Sequence, residues 1–299
     1  MAEYSYDQML TWVGVFSDLM NVSPEKIKLL NLCGKVRNVV STIETHKRVI
    51  IFANDTKPDL FYEIWEAGLG EYDLWYAKGL TPGGEIVKTT ASQLMDTKVT
   101  EPMVIFVMNE KTRESLRFGI KNEVFARGPI RYVGNEIRAV IMSLLSVDMH
   151  DIMYFVSAET IAIEAAMAAQ EGTMIAIECD DGSFRSMEEN VEKFKLHNIE
   201  IVRGFDEDKL APLPMPRLSF IVATKYLERD LERLLRKQPK QQFVIYTLDL
   251  GILSQVKGIF ERQGIRDMEI RQITVSKLGS DGVFQTEPSP WLITGTTMD

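Results

Sequence analysis

From residue 136 onward the chain alternates between helical and β-rich apolar runs without a long break, and this alternation restricts the fold more than any other feature. "EIRAVIMSLLSV" has helical spacing, "DIMYFVS" reads as a strand, "ETIAIEAAMAAQ" as a helix and "GTMIAIEC" as a strand. "FRSMEENVEKFKLH" is then helical and "IEIVRG" a strand, followed by the strand "RLSFIVAT", the helix "LERDLERLLRKQ", the strand "QQFVIYTLDL" and the helix "ILSQVKGIFERQG". Two long strands, "DMEIRQITVSKL" and "PSPWLITGTT", close the series around the turn "GSDG". Strands separated by helices of this length pair in parallel through crossover connections. Five parallel-type strands followed by an antiparallel pair predict an open, doubly wound α/β sheet.

The first half carries a similar but shorter alternation. After an amphipathic opening, in which Met9, Leu10, Val13, Phe16, Leu19 and Met20 recur at helical spacing, come the strand "RVIIFAN" (48–54) and the helix "DLFYEIWEAGLG". "YDLWYAKGL" is a second strand, "TASQLMD" a short helix and "PMVIFVMN" (102–109) a third strand, uninterrupted in apolarity as expected when both faces are covered. The alternation predicts a mainly parallel sheet here too. Between residues 110 and 135 the texture turns polar and basic with no sustained period, which reads as an inter-domain linker. Two domains are expected, 1–125 and 126–299.

Composition narrows the function classes. Thirty-four basic against 43 acidic residues give a net charge of -9, so the summed field repels phosphate backbones and anionic membranes, and neither nucleic acid nor membrane is an expected partner. No apolar stretch approaches the ~18 residues of a membrane span, and the acidic start MAEYSYDQ lacks the basic region of a signal peptide. Cys33 and Cys179 lie far apart, each in or beside an apolar strand-like run, so buried reduced thiols and a cytoplasmic location are expected.

The segment "RAVIMSLLSVDMHDIMYFVSAETIAIEAAMAAQEGTMIAIECDDGSFRSMEENVEKFKLHNIEIVRG", followed by "LPMPRLSFI" and "TVSKL…PWLITG", resembles the decarboxylating domain of the precorrin-6Y C5,15-methyltransferase family of cobalamin biosynthesis. E-I-R-A before the first strand, I-E-A-A on the first helix, A-I-E at the end of the second strand and L-P-x-P before the fourth carry the likeness. It implies a class I methyltransferase-like doubly wound sheet and S-adenosylmethionine as cofactor. The first half is similar to the tetrapyrrole methylase part of the same bifunctional enzymes, through "HKRVIIFANDTKPDLFYEIWEAGLGEYDLWYAKGL" and "FGIKNEVF", but only to its C-terminal subdomain. That implies a smaller α/β domain which, with Met1 as the start, does not bind the methyl donor alone.

The resemblance also locates a departure. In the fold it implies, the first strand ends in D-x-G-x-G-x-G, because a backbone turn at positive φ must run against the donor with no Cβ in the way. Here the aspartate falls on Met153 and the glycines on Phe155, Ser157 and Glu159. A carboxylate at Glu159 would stand beside that of the donor, a clash on the order of 1 kcal/mol or more once water is excluded. Glu178 keeps the acid that would hold the ribose hydroxyls, and Asp206, one residue after Phe205, is the candidate acid near the adenine. Equally, Glu178 reads as a strand-end carboxylate that caps a turn or faces water, and Glu159 as a helix-start carboxylate steadied by the macrodipole. The substrate-facing "F-I-G-G" has become Phe220 to Ala223, and "N-A-V-T-L-E" has become Tyr246 to Gly251, changes expected to fill or recharge the cleft.

Other polar groups read plainly. His46, His150 and His197 sit in polar turns or helix ends, no His/Cys cluster has metal spacing, and "CDDGSF" lacks the remaining acids of a calcium loop. "TPGGE" fits a surface turn, and no P-loop, G-x-S-x-G or H-E-x-x-H is present. Arg127, Arg131, Arg138, Lys225 and Lys277 either meet the carboxylates of a tetrapyrrole or are linker and rim charges.

Two functions follow. One is a diverged, non-catalytic relative acting as a binding or assembly protein; the other is an active S-adenosylmethionine-dependent methyltransferase and decarboxylase on a precorrin-like tetrapyrrole, with Lys225 and Tyr246 as the catalytic candidates and Ser157, Glu159, Glu178 and Asp206 at the cofactor. The altered site residues favour the first. The terminal hairpin, through which the resembled family assembles, implies a homo-oligomer.

Overall fold

The computed structural model of the chain describes residues 3–33, 38–112, 118–126, 128 and 133–298. Its contacts divide the chain into two compact units, Met1–Ser115 and Leu116–Asp299. The division falls ten residues before the expected boundary at 125/126. The reason lies in the side chains that hold the intervening segment: Gly119 N and Ile120 N both donate to the Glu164 carboxylate at 3.0 Å, and Ala126 N donates to Asn190 Oδ1 at 2.7 Å.

In the N-terminal unit, helix α1 (Tyr6–Met20) starts at a capping box in which Ser5 and Gln8 exchange side-chain and backbone bonds. There follow β1 (Lys28–Asn31), α2 (Val39–Thr45), β2 (Arg48–Ala53), α3 (Leu60–Ile64), β3 (Asp73–Lys78), β4 (Val87–Thr90), α4 (Ala91–Leu94) and β5 (Met103–Met108). The strand order is β1-β2-β5-β3-β4. β2 and β5 are central and buried on both faces, as their unbroken apolar runs require. One face carries Val39, Ile43 and Phe61; the other carries Trp12 and Phe16, whose ring stacks on Phe106 at 5.5 Å between centroids. The expectation of a mainly parallel sheet is corrected: β1 and β2 pair in parallel, whereas β2 with β5, β5 with β3, and β3 with β4 are antiparallel. Alternation of strand and helix fixes neither order nor direction when a late strand inserts between two earlier ones.

The C-terminal unit comprises α5 (Asn135–Leu145), β6 (Ile152–Val156), α6 (Thr160–Ala168), β7 (Thr173–Glu178), α7 (Asp181–Phe194), β8 (Ile199–Arg203), α8 (Glu207–Leu210), β9 (Leu218–Val222), α9 (Leu227–Lys237), β10 (Gln242–Thr247), α10 (Leu250–Gln263), β11 (Arg266–Gln272), β12 (Ser276–Leu278), β13 (Phe284–Thr286) and β14 (Trp291–Thr296). The main sheet runs β11-β14-β10-β9-β6-β7-β8. Strands β6 to β10 pair in parallel, and β14 is antiparallel to both β10 and β11. This is the doubly wound class I methyltransferase-like sheet expected. The end of the chain differs in detail, because "DMEIRQITVSKL" is two strands rather than one. β11 stops at Gln272, and β12 pairs with β13 as a separate two-stranded sheet.

Both faces of the main sheet are covered. Ile163 and Val244 belong to one cluster, Ile175, Ile177 and Ile221 to the other, each at most 2% exposed. Each such side chain contributes roughly 1.5–3 kcal/mol by burial. At the N-terminal ends of the strands, Arg217 holds Asp151 in a two-pronged contact at 2.6 and 2.7 Å and Gln242 at 2.9 Å. The order reverses between β6 and β9, so the strands' carboxyl ends at this switch point open the crevice where a doubly wound sheet receives ligands.

Candidate functional site

The turn from β6 to α6 keeps a glycine-like backbone without glycines. Ser157 has φ 53° and Glu159 φ 29°. A side chain in this region costs about 1–3 kcal/mol of local strain, which the flanking strand and helix sustain. Phe155, at another glycine position, is fully buried and packs on Phe220 with ring centroids 6.2 Å apart. Met153 is likewise in the core. Two of the four marker positions have therefore become core, and two have become strained turn.

Glu159 ends the turn as the residue preceding α6, and it is buried rather than solvated. Gly128 packs so closely on it that an added Cβ would lie 2.6 Å from Glu159 Oε1 and 2.6 Å from Ser186 Oγ. Burial raises the Glu159 carboxyl above its usual range, opposed by the nearby Ser183 and Ser186 hydroxyls and helped by repulsion from Asp180. Glu159 Oε1, Glu178 Oε2 and Ser183 Oγ are all buried without a hydrogen-bond partner among the described residues.

Glu178, at the end of β7, does not face water: it is 0% exposed, and its Oε1 accepts the Glu159 N–H at 3.3 Å. Burial pushes its carboxyl up to about 8, with Glu159 and Asp180 adding repulsion and the backbone N–H groups of Glu159 and Ala158 opposing it. Its Oε1 thus meets the turn that follows β6, while its Oε2 is buried without a partner among the described residues. Asp180 is occupied as well, accepting from Gly182 N and Ser183 N to start α7. Asp206 is exposed and 3.0 Å from Lys209, while Phe205 beside it is buried in the core under Arg233.

The other half of the crevice is open. A cavity of about 1140 Å³ lies at the C-terminal ends of β9 and β10, and Lys225 and Tyr246 both line it. Val222, Ala223, Leu248, Asp249 and Leu250, from the segments where the changes were expected to fill or recharge the cleft, line it too. The candidate residues thus fall into two groups: Lys225 and Tyr246 on the cavity wall, and Ser157, Glu159, Glu178 and Asp206 outside that lining. Trp291 also lines it; it and Asp249 lie in the segments PWLITG, which carried the resemblance, and Tyr246–Gly251, which departed from it, without having been singled out as site residues.

The basic residues resolve differently from one another. Arg138 is neither a ligand cation nor a rim charge: it is 0% exposed, with Nε 2.7 Å from Glu164 Oε1 and Nη1 bonded to Asn122 Oδ1 and Val133 O at 2.8 and 2.9 Å. The E-I-R-A and I-E-A-A signatures are therefore the two halves of one buried ion pair. Lys277 bridges Glu136 and Glu287, both at 2.9 Å. Arg127 and Arg131 lie outside the described residues. Both cysteines are free; Cys33 is buried as expected, but Cys179 is exposed because it follows the last residue of β7. Among the described residues no cluster of three or more His, Cys, Asp or Glu is arranged to hold a metal ion, and no helix is long and apolar enough to cross a membrane.

Comparison with known proteins places this architecture. Among solved structures, precorrin-6Y C5,15-methyltransferase from Geobacter metallireducens GS-15 superposes with a TM-score of 0.56 at 24% identity, covering 60% of this chain and 96% of that one. A precorrin 8w decarboxylase from Methanobacterium thermoautotrophicum gives 0.51 at 16% identity, covering 59% and 98%. In sequence, a probable cobalt-precorrin-6B C(15)-methyltransferase (decarboxylating) of Methanocaldococcus jannaschii is 27% identical over 150 residues, 50% of this chain and 81% of that protein. The precorrin methyltransferase domain profile matches residues 131–288, slightly more than half of the chain, and so the chain belongs to the precorrin methyltransferase domain family.

Proposed function

We propose that this chain is a non-catalytic member of its family, a binding or assembly protein whose methyl-donor site is degenerate. The observation that carries the reading is the state of Glu178. The carboxylate that would hold the donor's ribose is 0% exposed, with its Oε1 bonded to the Glu159 N–H and its Oε2 enclosed without a partner among the described residues, so a ribose reaches it only if the turn over it moves. The neighbouring positions agree. Side chains occupy turn positions with φ of 53° and 29°, and Glu159 brings a second buried carboxyl to the place where the donor's own carboxylate would pass. An adenosyl donor does not fit these residues, because it would have to uncover the buried Glu178 and bring its own carboxylate against the buried Glu159 carboxyl.

Calorimetric titration with S-adenosylmethionine and S-adenosylhomocysteine tests this directly. A folded protein that gives no binding heat supports the reading, and micromolar affinity for either compound refutes it.

A second reading, methyl transfer with decarboxylation on a precorrin-like tetrapyrrole, draws on the activities for which the relatives are named and on one feature here. Lys225 and Tyr246 share an open cavity, where a cation and a phenol hydroxyl could steady a carboxylate-bearing side chain. Release of carbon dioxide from such a precorrin would establish it.

A further inference from the structure

The cavity at the ends of β9 and β10 has an uneven supply of charge. Two carboxylates reach its wall, Asp249 and Glu287, and both are already engaged. Asp249 caps α10, accepting from Gly251 N at 2.6 Å and Ile252 N at 3.3 Å. Glu287 Oε1 is held by Lys277 Nζ at 2.9 Å. Lys225 is different: its Nζ lies 5.1 Å from the Tyr226 ring centroid, and among the described residues no carboxylate is within ion-pair distance of it. Among the described residues one positive charge is therefore left over on the wall.

The remaining surface is apolar with a few hydroxyls. Val222, Ala223, Leu248, Leu250, Ile252 and Trp291 supply the first; Tyr246 and Thr224 supply the second. Burial raises the Tyr246 phenol above its ordinary range, so its hydroxyl stays protonated and able to donate. At about 1140 Å³ the space slightly exceeds the roughly 300–1,000 Å³ usual for small-molecule sites. A polycarboxylate would bring several charges to a wall whose described residues carry one spare cation and two fixed anions. Each surplus carboxylate would be desolvated without a partner.

We propose that this cavity is a binding site for a largely apolar small molecule carrying a single anionic group, which pairs with Lys225. This rests on the reading above only in that the cavity serves binding rather than turnover.

The full chain is titrated by fluorescence with three probes: 1-anilinonaphthalene-8-sulfonate, which is apolar with one sulfonate; neutral N-phenyl-1-naphthylamine; and uroporphyrin, which carries eight carboxylates. The sulfonate is expected to bind once per chain and more tightly than uroporphyrin. Lys225→Gln, at an exposed position, should weaken the sulfonate about tenfold and leave the neutral probe unchanged. Ala223→Trp, which fills the cavity, should remove both. Absence of sulfonate binding, affinity unchanged in either variant, or tighter binding of uroporphyrin would each overturn the proposal. S-adenosylhomocysteine is titrated in parallel: its binding would refute the degenerate donor site and leave the charge argument standing.

Discussion

Glu178→Gln removes the titrating proton at the end of β7 while keeping the side chain's shape and the oxygen that accepts from Glu159 N. In the folded chain burial, with repulsion from Glu159 and Asp180, lifts this carboxyl from an ordinary 4.5 to about 8. Between those two values the folded state binds a proton that the unfolded state has released. Stability therefore falls as pH rises, by ~1.4 kcal/mol for each unit inside the window. The penalty is absent below the unfolded value and reaches its ceiling above the folded one, where 3.5 units at that slope amount to roughly 5 kcal/mol. Glu178 is 0% exposed, so solvent does not screen the effect. Glutamine has no such proton, and the stability difference between variant and parent should widen by about 3.5 kcal/mol from pH 5 to pH 8. Urea unfolding of both proteins at several pH values, followed by circular dichroism, measures it through the transition that the substitution moves. Curves that stay parallel across that range would show that Glu178 is ionised in the folded chain, and the account of the buried strand end would fail.

Arg138→Met leaves Glu164 charged and unpaired in the core and should cost about 3–5 kcal/mol, most of it recovered when Glu164→Leu is added; urea midpoints decide this. Glu159→Gly relieves a φ of 29° and removes a buried carboxyl, so it should stabilise by about 1–3 kcal/mol, and a lowered midpoint would contradict the strain at this turn. One thiol per chain, Cys179, should react with Ellman's reagent in the native protein above pH 8.5, and Cys33 only after unfolding; two native equivalents would contradict the burial of Cys33. For assembly we propose a homo-oligomer joined through the β12–β13 hairpin, where Leu278, Val283 and Phe284 are 61%, 59% and 69% exposed. Light scattering on a size-exclusion column should give a multiple of 34.1 kDa that Phe284→Ser reduces, and a single-chain particle would end that proposal.

Local pattern determined much of this protein. The unbroken apolar runs at 49–53 and 103–107 became central strands buried on both faces, and the alternation after residue 136 became a doubly wound sheet, because the period of burial is written into neighbouring residues. The substituted glycines at Ser157 and Glu159 were equally visible in the chain, as was the acid at Glu178. Direction and partnership were decided elsewhere. Strand β5 enters between β2 and β3 and turns the first sheet mostly antiparallel, a choice made by contacts between segments about 25 to 60 residues apart. Arg138 and Glu164 looked like separate charges until folding placed them 2.7 Å apart with no exposure. Likewise, only the packed structure decided that Glu178 would meet the turn that follows β6 while the ends of β9 and β10 stayed open around Lys225 and Tyr246. A carboxylate's charge, its partners and its access to a ligand depend on what is desolvated around it, and that environment is assembled from strands distant in sequence.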